Sequence, residues 1–258
     1  MQTIRDYVAP DNLLHDRVIL VTGAGQGLGQ MAATLYAAYG ATVILCGRSQ
    51  EKLEATYDRI VDGGHPEPII FPIDFYRATD SDFMNMISAI TINFSRLDGI
   101  LHSASNIYQL TPLENQTLDE WQQMFSANVL GPFALTRACL PIMYKAPNAA
   151  ILFTQEPHGL KASAYWGGFC ASMYARNALM HVLADELSIH PNVRTANLLP
   201  GPVASPQRAR THPGEYRPSL PSMEDLAPLY LYLMSDAGKS RNGETLHMDS
   251  STEDDPSN

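Results

Sequence analysis

The chain has 258 residues and 45% hydrophobic content with 17 Gly and 18 Pro, ordinary globular usage that excludes collagen-like, low-complexity and disordered classes and leaves one large domain or two small ones. Its 17 Lys and Arg against 27 Asp and Glu give a formal charge of −10, the wrong balance for a nucleic-acid partner, which needs clustered cations. No run approaches the ~18 apolar residues of a membrane span, Met1 to Pro10 lacks the apolar heart of a signal peptide, and Cys46, Cys139 and Cys170 are odd in number, far apart and without a CxxC pair; a cytoplasmic chain with reduced thiols, no membrane partner and no metal site is expected.

From about Arg17 to His247, short apolar runs alternate with longer helical patterns, the sign of repeated βα units around a parallel sheet. In chain order the pattern predicts a strand at Val18 to Val21, a helix at Gly27 to Ala38, a strand at Thr42 to Leu45 and a helix at Gln50 to Val61. A strand at Pro68 to Ile73, a helix at Asp80 to Phe94 and a strand at Gly99 to His102 follow. The second half reads as helix Thr117 to Leu140, strand Ala150 to Phe153, helix Tyr165 to Ile189, strand Val193 to Leu198, helix Met223 to Met234 and strand Glu244 to His247. Several strands are continuous Val/Ile/Leu, as burial on both faces requires. The expectation is an α/β doubly wound parallel sheet of seven strands with helices on both faces, in one domain over residues 1–249.

Two segments break the rhythm. Pro200 to Pro221 contains Pro202, Pro206, Pro213, Gly214 and Pro218, which predict a long loop without regular structure of the kind that covers a site. The acidic tail from Ser250 to Asn258 is expected to be frayed.

Directly after the first strand comes Thr22-Gly23-Ala24-Gly25-Gln26-Gly27-Leu28-Gly29, and then an apolar helix. Glycines at a strand-to-helix turn let the backbone approach a pyrophosphate, and the free N–H groups and dipole of the helix attract its charge. A dinucleotide is the ligand this context predicts. The TGxxxGxG spacing resembles the short-chain dehydrogenase/reductase family over nearly the full chain. Asp74 after the third strand, Asn128 in the long helix after the fourth, and Pro200-Gly201 after the sixth fall where that family keeps landmarks. Leu97 to His102 and Pro228 to Met234 look more like its bacterial YciK-type branch. The resemblance implies a Rossmann-like fold, a dinucleotide held around Gly23, Gln26, Gly27, Leu28, Asp74, Phe75, Ser103, Ala104, Pro200 and Gly201, a small molecule in the cleft, and a homo-oligomer, dimer or tetramer, formed through the helices at Thr117 to Leu140 and Tyr165 to Ile189.

The second strand leads into Gly47-Arg48, with no Asp or Glu to select NAD through its ribose hydroxyls. A guanidinium at Arg48 suits the extra phosphate of NADP, although Gln26 brings no second cation to the glycine loop. NADP is expected, with NAD as the alternative.

The family's proton chemistry needs a Tyr, a Lys four residues later that lowers its pKa, and a Ser thirteen residues upstream. Aligned through Ala171-Ser172, those positions hold Phe169, Met173 and Glu156. None of the twelve Tyr has a Lys four residues on, so the loss does not depend on alignment. Phe169 has no proton to exchange, Met173 cannot bond ribose hydroxyls, and an ionised Glu156 only accepts hydrogen bonds. The family's Asn-Asn-Ala-Gly turn reads His102-Ser103-Ala104-Ser105 here, which sets a side chain beside the expected nicotinamide. A coenzyme-binding pseudoenzyme is the first expectation. The alternative is an oxidoreductase with a displaced acid: Glu156, if burial raises its pKa, Tyr165 paired with Lys161 on an early-starting helix, or His158. Otherwise Tyr165 and Trp166 line the pocket wall, and His158 and Lys161 stand in water.

Overall fold

The computed structural model describes residues 2–252. The expected strand Val18–Thr22 (β1) leads through the glycine turn to α1 (Gly27–Ala38), and β2 (Thr42–Gly47), α2 (Gln50–Asp62), β3 (Ile69–Pro72) and α3 (Asp80–Phe94) follow. Next come β4 (Gly99–His102), α4 (Leu118–Phe125), α5 (Gly131–Met143), β5 (Ala149–Thr154) and α6 (Gly167–Glu186). The chain closes with β6 (Val193–Leu198), α7 (Pro206–Thr211), α8 (Ala227–Met234) and β7 (Thr245–Leu246). All paired strands run parallel, in the order β3-β2-β1-β4-β5-β6-β7, the Rossmann-like doubly wound arrangement whose direction reverses between β1 and β4.

The period-2 alternation of each strand sends its side chains to two separate cores. Ile19, Val21, Val43, Leu45, Ala150 and Leu152 pack with the apolar faces of α1, α2 and α8. Val18, Leu20, Ile44, Cys46, Ile151 and Phe153 pack with α3, α5 and α6. Two-faced burial is therefore why the strands read as unbroken apolar runs. Among the described residues no helix is long and apolar enough to cross a membrane.

Four expectations need correction. The helix expected over Thr117 to Leu140 is two helices joined by a π-turn at Ser126–Leu130, where one extra residue per turn re-aims the backbone around buried Asn128. The helix expected from Tyr165 begins at Gly167, because Tyr165 has φ +73°, outside the helical region. Regular structure does occur inside the proline-rich segment: Pro206 opens α7 at its first position, where a missing N–H costs nothing, and the Ser205 hydroxyl accepts from Arg208 N at 3.1 Å. The tail is tied down as far as it is described, through Ile4 N donating to Ser250 O at 2.9 Å and Thr252 N donating to Gln2 O at 3.1 Å; its remaining residues lie outside the described ones.

Candidate functional site

The glycine turn is fastened to its surroundings by backbone contacts that leave no room for side chains. Gly23 has φ +71°, and a Cβ there would stand 2.8 Å from Ala104 N. At Gly29 a Cβ would run into the Gly23 carbonyl. The Thr22 hydroxyl accepts from both Ser103 N and Ala104 N at 3.1 Å, so β1 and the turn after β4 form one rigid rim. Gly27, with φ +59°, is open by contrast, its nearest neighbour Pro206 lying 3.7 Å from a built Cβ. Leu28 packs against the core beneath the turn. Gln26 supplies no side-chain cap to α1, and the first turn of α1 carries no acid, which leaves its positive end available to an anion.

Arg48 is exposed at the end of β2. A second cation stands close to the glycine loop: exposed Lys52, in the first turn of α2, donates from Nζ to Gln26 Oε1 at 2.7 Å. Its distance of four residues from Arg48 was the available signal. Asp74 accepts from Tyr76 N at 3.1 Å and lies 4.0 Å from Arg77 Nε, while Phe75 packs beneath Gly131. On the far side of the crevice Gly201 has φ +72° with nothing within 4 Å of a built Cβ, next to half-buried Pro200.

Of the positions expected to carry proton transfer, Phe169 and Met173 share one face of α6 by i, i+4 spacing, while Asn128 lies in the π-turn and Glu156 just beyond β5. Phe169 and Met173 are buried with Ile107, Met124, Trp166 and Cys170. Asn128 Oδ1 accepts from Asn106 N at 2.7 Å, and its Nδ2 donates to Asn106 O at 3.0 Å and to Ser172 Oγ at 2.9 Å, so this side chain locks the segment after β4 onto α6. Glu156 accepts from Gln207 Nε2 at 3.2 Å and lies 3.7 Å from His158 Nδ1. Burial raises its pKa, while the guanidinium groups of Arg208 and Arg176 and the Gln207 hydrogen bond pull it back.

Arg176, three residues beyond Met173, is fully buried, and its guanidinium donates to the carbonyls of Thr154 and Ala104 at the ends of β5 and β4. Among the described residues its Nε has no hydrogen-bond partner, and burial lowers its pKa to about 10 despite the nearby Glu156 carboxylate. Sequence reading missed this cation, although a charged residue on the apolar face of a helix was a visible anomaly. Lys161 and Tyr165 do not share a helix turn, and Tyr165 is exposed. Nor is His158 in water, since its ring stacks on Trp166 at 3.5 Å, and burial lowers its pKa.

Next to this site, His102 is buried, stacked on Phe153, with Nε2 2.8 Å from Thr136 Oγ1 and, among the described residues, no partner for Nδ1. Burial, reinforced by Arg176, depresses its pKa from 6.5 to about 3. Between these values the unfolded chain binds a proton that the native one refuses, so stability falls as pH drops through that window. His102→Asn is expected to flatten the pH dependence of the urea midpoint between about 6.5 and 3; an unchanged slope would show that His102 does not contribute to it.

The short chain dehydrogenase family model matches residues 17–215. The chain belongs to the short-chain dehydrogenase/reductase family. An uncharacterized oxidoreductase of Escherichia coli K12, YciK, is 38% identical over 239 residues, covering 93% of this chain and 94% of that protein, which supports the branch indicated by Leu97 to His102. Two solved relatives carry the coenzyme. A short chain dehydrogenase from Shigella flexneri 2a str. 301 complexed with NADP is 37% identical with a TM-score of 0.89, over 93% of this chain and 99% of that one. One from Escherichia coli CFT073 complexed with NADPH is 38% identical with the same TM-score and coverage.

Proposed function

We propose that this short-chain dehydrogenase/reductase homologue binds NADP(H) but does not perform the family's hydride-transfer reaction, and acts as a coenzyme-responsive binding protein. Gly23, Gln26, Gly27 and Leu28 would surround the pyrophosphate at the uncapped end of α1. Arg48 and Lys52 would meet the 2′-phosphate with charge-assisted hydrogen bonds, Asp74 and Phe75 would flank the adenine, and Ser103, Ala104, Pro200 and Gly201 would border the nicotinamide half. The NADP and NADPH complexes of the relatives support this reading.

When bound, the coenzyme supplies or accepts a hydride. A carbonyl reduction also requires a proton at the oxygen, and the single observation carrying the proposal is that Phe169 and Met173 are buried in an apolar cluster where a phenol and an ammonium are needed. Loss of a general acid alone costs ~10²–10⁴ in rate. Calorimetry on the purified chain is expected to show saturable NADP binding and weaker NAD binding; no heat with either, or tighter NAD binding, overturns the coenzyme assignment.

The raised pKa of Glu156 favours a second reading, in which its carboxyl is a displaced acid. It requires an activity that survives in the natural chain and is lost in Glu156→Gln. A homo-oligomer joined through α4, α5 and α6 accords with exposed Leu118, Leu130, Phe133, Tyr174 and Val182 on those segments.

A further inference from the structure

A dinucleotide lies across the crevice at the carboxyl ends of the central strands, with its two halves on either side of the pyrophosphate turn. On the β2 side the crevice is open, since Arg48, Lys52 and Gln26 are all exposed. On the β4 and β5 side it is bridged. Ser105 Oγ, just beyond β4, donates to Gln207 Oε1 at 3.1 Å, and Gln207 Nε2 donates to Glu156 Oε1, just beyond β5, at 3.2 Å. The bridge therefore joins two departures from the family pattern, Ser105 in place of Gly and Glu156 in place of Ser. Helix α7, which carries Gln207, is tied to the segment after β4 a second time, by Arg210 Nη2 donating to Ile107 O at 2.7 Å, and within its own loop Arg208 forms a two-point pair with Glu215 at 2.6 and 2.7 Å.

We propose that the site recognises the 2′-phosphorylated adenosine half of the coenzyme as a sufficient ligand, because the Ser105–Gln207–Glu156 bridge closes the ground on which the nicotinamide half would lie. This inference rests on the NADP reading above and adds to it a ligand class: adenine nucleotides with a 2′-phosphate, with or without nicotinamide. Binding of the intact dinucleotide requires Gln207 to release both partners, which cancels what the nicotinamide contacts contribute.

The test is calorimetric titration of 2′,5′-ADP and of NADP into the natural chain, Ser105→Gly and Gln207→Ala. In the natural chain the two ligands are expected to bind within about threefold of each other. In either variant NADP is expected to tighten about tenfold while 2′,5′-ADP is unchanged. Ser105 is exposed, so its variant reports even if Gln207→Ala does not fold. NADP binding tenfold or more tighter than the fragment in the natural chain, or variants that leave the ratio unchanged, overturn this inference alone. Failure of both ligands to bind overturns the coenzyme reading as well.

Discussion

Phe169→Tyr, Met173→Lys and Glu156→Ser, combined with Arg176→Met, are expected to raise carbonyl reductase activity with NADPH well above that of the natural chain. A free phenol titrates near 10 and is a feeble proton donor-acceptor at neutral pH until a cation stands beside it. The four-residue spacing on α6 places positions 169 and 173 on one helix face. The fourth substitution follows from the structure: a new ammonium at position 173 would stand one turn from the fully buried Arg176 guanidinium, and once Glu156→Ser removes the nearby carboxylate, two buried cations without a countercharge oppose each other. Arg and Met are both long and unbranched, so the exchange keeps much of the packing while removing the charge. Without Arg176→Met, the triple variant is expected to remain at least tenfold less active. A folded, NADP-binding fourfold variant that stays at background on a panel of aldehydes and ketones would show that restoring these three positions does not supply the reaction.

Lys52→Glu is expected to weaken NADP binding by about 10–100-fold and to change NAD binding by less than about threefold, from the ~1.5–3 kcal/mol carried by a hydrogen bond to a charged group and ~1.4 kcal/mol per tenfold in affinity. Arg48→Glu should act in the same direction. Lys52 is exposed, and its recorded side-chain hydrogen bond is to Gln26, so the folded core loses little when it is replaced. Equal losses for NADP and NAD would place Lys52 outside the 2′-phosphate contact.

The architecture was legible in the sequence because it rests on short-range regularities. Strands buried on both faces are continuous Val/Ile/Leu, and the helices between them carry their own start signals, such as Ser49 before α2 and Thr79 before α3. The breaks between helices were not legible. Nothing in Ser126-Ala-Asn-Val-Leu130 announces a π-turn, since the cause is tertiary: Asn128 reaches across to Asn106 and Ser172. In the proline-rich loop, proline content was read as a bar to regular structure, whereas Pro206 at the first helical position favours α7. At the site, the glycine turn around Gly23 and Gly27 was visible in the spacing, and Phe169 and Met173 came into view only through the family resemblance. Lys52 and Arg176 left a local signal in spacing and in an apolar helix face, but their partners, and Gln207 altogether, were hidden because the contacts lie 26, 72 and 102 residues away in sequence, to Gln26, Ala104 and Ser105 respectively.

The most direct measurement of the central claim is a single-turnover experiment with the natural chain in excess over deuterium-labelled NADPH and a mixture of aldehydes and ketones, with the products analysed for transferred deuterium. Coenzyme held by the protein with no label in any alcohol is the predicted result. Deuterium appearing in an alcohol at a rate comparable to that of active relatives would contradict it.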